Sequence, residues 1–330
     1  SIAQPVFFTL KILTYACWPF IIAEILEPTI ESPSSRLILG IVSSASIMPA
    51  IYEEMWAGNI NLFCITGLLA AAAQLTKKKA FSAAAIATII ATIKPQYALF
   101  LAPAMLQNFK KSLAGSLLAL TSLLGISMSI YGLSDLIALC IKWLGTISKP
   151  IADAHDINNV SYSAWLERLF ASDTLQSNVN PFSKGLIVCT KLGLVFMSLA
   201  AIWKLSKDYK SNKIQMPTWV LAAFSFLSLL TLLVTPVIWI THQMLLIFAS
   251  MFISYLFWKG RSWVLFLAFV SIPISLYISS DLLQNSVLLR DFSRTYGLSV
   301  IATCISLLTL SFYSIYLRDF LFYPQVGREK

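Results

Sequence analysis

Charge is scarce in this sequence: of 330 residues only 24 are Lys or Arg and 15 are Asp or Glu, 12% in all, about half of the roughly 25% usual for a soluble domain. So few charged groups cannot clothe a 36.6 kDa globule, which disfavours a soluble enzyme, a disordered tail and a nucleic-acid-binding domain. Histidine is nearly absent, with two residues. The five cysteines (Cys17, Cys64, Cys140, Cys189, Cys304) stand in apolar stretches without CxxC spacing. Neither a disulfide framework nor a metal knuckle is indicated, and the thiols read as lipid-facing or packing groups. There is no Walker loop, GxGxxG, HExxH or serine elbow, so soluble nucleotide chemistry has no motif to rest on.

What is present is apolar sequence: 58% of residues are hydrophobic and the mean hydropathy is +0.76. Runs cut at charges and at Pro or Gly cover residues 5–26, 37–52, 59–76, 80–93 with 96–108, 112–134, 184–203, 217–235, 238–258, 262–280 and 297–317. Their hydrophobicity is continuous, and open strand edges are not tolerated in lipid, so each reads as a helix. At about 20 residues per crossing this predicts an all-α, multi-pass transmembrane bundle of about ten segments. Residues 1–330 then form a single membrane domain, with no room for a large soluble one. Residues 134–183 read as an external loop, in which Trp165 to Phe170 form a short amphipathic helix. The chain begins at Ser1 with no initiator Met and no basic leader, which reads as a fragment of a longer protein.

The basic residues sort by side. With Lys77, Lys78 and Lys79 cytoplasmic, simple alternation also puts Lys204 to Lys213, Lys259 with Arg261, and Arg318 on that face. Residues 80–108 break the alternation, because Lys110 and Lys111 follow what would be one crossing. The Ile93-Lys94-Pro95-Gln96 break inside it predicts a broken or re-entrant pair that returns both basic ends to one side. The alternative is one long kinked helix. The unusual polar residues then gather on the opposite, non-cytoplasmic face.

Lys94 is the sharpest of these, a cation inside a long apolar run, where it is costly unless paired or solvated. It suits a phosphate, and the helix start after Pro95 would add donors; otherwise it snorkels or pairs with Glu53 or Glu54. Asn59 and Asn61, following Glu53 and Glu54 and Gly58, suggest a polar pocket, although an N-cap role would explain one of them. His242 lies in a proline-interrupted stretch beside Trp239, and marks either a polar pathway or a satisfied structural histidine. Asp153, His155 and Asp156 have loose spacing in a loop-like stretch and fit solvated charges better than a metal or acid–base cluster, with no metal site expected.

Taken in order, these motifs resemble a known family. Gly58-Asn59-Ile60-Asn61, then a span, a basic turn and a run ending Lys94-Pro95, resembles the G-Q-x-N … K-P signature of glycosyltransferase family 87. Its members are polyprenyl-phosphate-mannose-dependent α-1,2-mannosyltransferases and related arabinosyltransferases of the GT-C superfamily. Ser161-Tyr162-Ser163 is similar to its N-Q-S loop, with Asn and Gln replaced. Thr235 to His242 is similar to its S-P-x-x-W-x-H-H element, with Thr first and one His kept. The resemblance runs from about residue 37 to 258 and implies a multi-pass enzyme of a bacterial inner membrane.

The implied reaction is an inverting sugar transfer. The donor is a polyprenyl-phosphate sugar, the acceptor a glycan or glycolipid, and no further cofactor is expected. Membrane lipid, donor and acceptor are the partners, and nucleic acid is not. Lys94 and His242 would hold the leaving phosphate, and Asn59, Asn61 and Ser163 would line the pocket. The family's proposed base is an Asp in the first external loop, expected upstream of Ser1 together with the N-terminal helix. Within the chain Glu53, Glu54, Asp153 and Asp156 are the acid–base candidates. A secondary transporter or lipid-linked-substrate flippase is the competing reading, since transporters also place an embedded charge at a helix break. A remnant inactive without its missing part is a third.

Overall fold

Ser32 accepts a hydrogen bond from the Ser35 amide at 3.3 Å and Pro33 occupies the first helical turn, a paired start signal for the helix that follows. Similar punctuation divides most of the chain. The computed structural model describes residues 3–57, 59–147, 159–165, 181–212, 214–235, 238, 240–260, 262–280, 287–295 and 297–316, and every regular element among them is helical. These are α1 (Ala3–Ala16), α2 (Trp18–Leu26), α3 (Pro33–Ser46), α4 (Met48–Trp56), α5 (Asn61–Thr76), α6 (Ala80–Ile93), a 3-10 segment Pro95–Leu101, α7 (Ala102–Gln107) and α8 (Phe109–Ile147). They continue with α9 (Pro181–Lys210), α10 (Met216–Val234), a 3-10 segment Ile240–Leu245, α11 (Leu246–Gly260), α12 (Trp263–Ser279), α13 (Val287–Thr295) and α14 (Leu298–Tyr316).

Among the described residues five helical stretches are long and apolar enough to cross a membrane: Gln4–Leu26, Phe109–Lys142, Gly185–Lys210, Met216–Val234 and Ile240–Gly260, with α3 and α4 a sixth if their bent pair is one span. The other apolar helices are 10–17 residues long. The 58° bend between α3 and α4 falls inside the run 37–52 that the sequence presents as one helix. Ile47 leaves helical geometry (φ −108, ψ 13), and Pro49 starts the second helix, where its missing N–H costs nothing. The helix at 109–147 runs past residue 134, broken only at Gly132 (φ 75, ψ 164).

The core is built around α10 and α11, which are apolar on all sides and almost wholly enclosed, as befits helices surrounded by other helices. Helix α3 packs on α11 through Ser43 with Ser254 and Ser46 with Ser250, hydroxyls 3.0 and 2.6 Å apart. Such interhelical hydroxyl pairs hold bundles together where lipid removes the hydrophobic incentive. Helix α8 exposes Leu117, Leu124, Ile126, Ile130, Ile137 and Ile141 instead, an apolar surface fit for lipid.

The Lys94-Pro95 break produces a return leg. Helix α6 ends at Lys94, extended at φ −136, ψ 97, as a residue before proline prefers. Phe100 on the 3-10 segment then wedges between Phe224 of α10 and Phe248 of α11, with centroids 5.4 and 5.8 Å away. Gln107, closing α7, donates to the Leu75 carbonyl at the far end of α5, at 3.2 Å. The return leg therefore descends beside α6 to the level of the Lys77–Lys79 turn. Helix α6, of 14 residues, rises about 21 Å, and the return leg descends about 23 Å at 3-10 and α rises. Lys77–Lys79 and Lys110–Lys111 thus share one end of the bundle. The same end holds Arg36 paired to Glu27 at 3.4 Å and Lys77 paired to Glu24. Lys77 is exposed, and its hydrogen bond and charge contact with Glu24 hold its pKa above the ordinary lysine value.

Candidate functional site

The opposite ends of α4, α5, α6 and α10 converge with the middle of the first crossing. Lys11 of α1 and Glu54 of α4 are both fully buried, 0% exposed, with Lys11 Nζ 3.7 Å from Glu54 Oε1. The ammonium also donates to the Glu54 backbone carbonyl and sits 5.0 Å above the Phe7 ring. Glu54 Oε1 accepts from the Leu62 amide at 3.4 Å and Oε2 from Asn61 Nδ2 at 3.1 Å. Asn61 is buried at the first turn of α5. Its Nδ2 also lies 3.3 Å from Thr241 Oγ1, and its Oδ1 accepts from Lys94 Nζ. One carboxylate, one amide and two ammonium groups from four helices thus form a continuous chain.

The balance of charge in this chain decides what it can do. Lys11 and Glu54 cancel. Lys94 is half-buried, and among the described residues it forms no ion pair within 4.0 Å and makes one hydrogen bond, to a neutral amide. An ammonium in apolar surroundings with a whole positive charge uncompensated is suited to an anion. The 3-10 segment after Lys94 spans seven residues and starts with proline, so the donors that the sequence leads one to expect from a helix start are reduced. Pro95 has no N–H, so the cation of Lys94, and not a row of backbone amides, is the feature of this break that could meet an anion.

Two further stretches pair with the segment that leads from α10 to Thr241. Asn159 is buried and its Oδ1 accepts from the Ser161 amide at 3.2 Å and the Ile238 amide at 3.1 Å. The Val160 amide donates to the Ile238 carbonyl at 2.7 Å. Ser161 Oγ in turn accepts from the Ala164 amide at 3.2 Å, capping the helical turn that begins at Tyr162. Lys191 of α9 donates to the Val234 carbonyl at 3.0 Å, meeting the end of α10 just before Thr235. The turns around residues 61, 94 and 241, far apart in sequence, meet at Asn61, and the stretch at 160 pairs with Ile238, three residues before Thr241.

The sequence model of glycosyltransferase family 87 matches residues 2–236, most of the chain. The chain belongs to glycosyltransferase family 87. No curated protein and no solved structure matches it. As a member of family 87 it is a membrane glycosyltransferase, and the cluster at Lys94 is the candidate place for its chemistry.

Within this family 87 chain, Lys94, Asn61 and Glu54 are in direct contact or one amide apart. His242 is half-buried in the 3-10 segment, next to the Thr241 that approaches Asn61. Glu53 is half-buried on the same turn as Glu54. Asn59 is half-buried and no side-chain hydrogen bond ties it to the cluster; the same holds for Ser163. Asp153, His155 and Asp156, the amphipathic run after Trp165, and Gly58, Pro236 and Trp239 lie outside the described residues. Of the five thiols Cys17, Cys140 and Cys189 are exposed, whereas Cys64 is buried one turn along α5 from Asn61.

Four site residues carry no mark in the motifs. Lys11 is a lone cation in an apolar run, the signal that singles out Lys94, but its partner is 43 positions away. Asn159 gives no hint of its reach to Ile238. The hydroxyl of Tyr97 and Oε1 of Gln243 are buried without a hydrogen-bond partner among the described residues. Each such group costs about 1–3 kcal/mol, and both stand within three residues of site members, Lys94 and Thr241.

Proposed function

We propose that this chain transfers a hexose or pentose, mannose foremost, from a polyprenyl-phosphate donor to a glycan or glycolipid acceptor, with inversion, at the non-cytoplasmic face of a bacterial inner membrane. The observation that carries the reading is Lys94: uncompensated, aimed by Asn61, and set at a helix break. It lies about 21 Å above the basic turn, short of the about 30 Å of a hydrocarbon core. A phosphate tethered to a lipid tail reaches such a depth; a freely soluble nucleotide sugar is less suited to it.

In the transfer the acceptor oxygen forms a bond to the anomeric carbon as the bond from that carbon to the phosphate oxygen breaks. The proton of the acceptor hydroxyl passes to a carboxylate base. The sugar-bound phosphodiester carries one negative charge and the departing polyprenyl phosphate two, so charge grows on the phosphate as the bond breaks. An ammonium fixed beside it binds the transition state more strongly than the ground state, which is what accelerates the step. Glu54 is a poor base, since Lys11, Leu62 and Asn61 occupy its oxygens; it supports the site. The basic residues gathered at the other end of the bundle favour a site on the outer face.

Membranes containing the full-length protein, given polyprenyl-phosphate-mannose and a glycolipid acceptor, should transfer the sugar, and Lys94→Ala should lower turnover about 10²–10³-fold in a chain that still folds. No transfer from any lipid-phosphate sugar would sink the enzyme reading, and unchanged turnover in Lys94→Ala would return that lysine to a structural role.

A further inference from the structure

Resting on the reading of Lys94 as the phosphate site, we infer that Lys11 is a positioning residue: by serving as counter-ion to Glu54 it keeps Lys94 from taking that role, and so keeps the Lys94 charge available to the substrate phosphate. Glu54 stands between two lysines. One faces Oε1 directly at 3.7 Å; the other is reached from Oε2 through the single amide of Asn61. Both act electrostatically on the Glu54 carboxylate.

A carboxylate at 0% exposure does not stay ionised alone, because burial without a partner costs several kcal/mol. With Lys11 removed, the remaining cation of the chain of contacts is Lys94. Its ammonium is held by the Asn61 amide, whose other end already touches Glu54 Oε2, so it is the cation nearest to hand. Lys94 would then neutralise Glu54, and the site would present no net charge to an anion. Removing Glu54 has the opposite effect, because two lysines then stand at the site without the carboxylate between them. Removing both restores the original balance.

This sign pattern separates charge balance from a merely structural role, under which every one of these substitutions weakens binding. The test uses the full-length protein in detergent, with polyprenyl monophosphate as the probe and its Kd as the readout. Lys11→Met should weaken binding at least about tenfold, and Glu54→Gln should tighten it. The double variant Lys11→Met/Glu54→Gln should return to within about threefold of the natural chain, for the net charge is unchanged. Should Lys11→Met fail to fold, Glu54→Gln and the double variant decide the matter between them. If Lys94→Ala loses binding while Lys11→Met keeps it, or if Glu54→Gln binds more weakly than the natural chain, the inference is overturned and the phosphate site stands. If Lys94→Ala binds as well as the natural chain, the reading beneath it fails as well.

Discussion

Asn61→Asp is the most economical challenge to the site, because it changes charge while keeping shape. The natural amide donates from Nδ2 to Glu54 Oε2 at 3.1 Å and approaches Thr241 Oγ1 at 3.3 Å, and it accepts from Lys94 at Oδ1. An aspartate there puts a carboxylate against Lys94 and an acceptor where Glu54 Oε2 had a donor; with one lysine opposite each acid, the two lysines and two acids cancel. A unit charge about 4 Å from Lys94 is worth about 4 kcal/mol at an effective dielectric constant of 20. Halving this for the partial exposure of Lys94 leaves about 2 kcal/mol, or about 30-fold in affinity for an anion. Asn61→Ala loses the contacts without adding charge, at about one hydrogen bond's worth, 0.5–1.5 kcal/mol or up to about tenfold. The expected order, by Kd for polyprenyl monophosphate and by kcat/KM for transfer, is therefore natural chain, then Asn61→Ala, then Asn61→Asp, although aspartate is the closer match in shape. Asn61→Asp within twofold of the natural chain, or better than Asn61→Ala, would refute the charge argument.

Four other substitutions probe the frame around the site. At Gly297 φ is +64, and an added Cβ would stand 2.4 Å from the Trp165 ring, so Gly297→Ala should cost about 1–3 kcal/mol in thermal unfolding in detergent; an unshifted midpoint would mean the contact is not made. Asn159→Leu strands the Ser161 and Ile238 amides at about 1–3 kcal/mol each and should speed proteolytic cleavage near residue 160, an unchanged rate counting against the docking. For orientation, Trp56→Cys and Lys79→Cys in a chain whose five native cysteines are serine should react with an impermeant maleimide from outside and from inside respectively. The reverse pattern would move the site to the cytoplasmic face.

The parts legible in the sequence are those fixed by local rules. Continuous apolar runs require helices in lipid, and Lys94-Pro95 must interrupt one. The two basic clusters flanking residues 80–108 require the interrupted run to come back, and the Gln107 contact with Leu75 shows the return. What could not be read is whatever depends on a partner distant in sequence. The α3–α4 bend is hidden because Pro49 sits in a first turn, where proline is as compatible with helix as a break. Lys11 reads like any snorkelling lysine until α4 brings Glu54 to it. Asn61 passes for an N-cap, but the structure gives its side chain to Glu54, Lys94 and Thr241 and none of it to the helix start.

The chemistry of the partners also fixes which way the Asn61 amide faces. An ionised carboxylate only accepts hydrogen bonds and an ammonium only donates them, while a carboxamide has one end for each. With Glu54 on one side, Nδ2 must turn toward it; with Lys94 on the other, Oδ1 must. A flipped amide would set two acceptors and two donors against each other at once. Glu54 is thus needed to aim Asn61, Asn61 to aim Lys94, and Lys11 to cancel the charge that the aiming introduces. Each residue has its role only in the presence of the one before it. Such dependence makes the site rigid at the point where phosphate charge would grow, since an ammonium already held in place need not reorganise as the bond breaks.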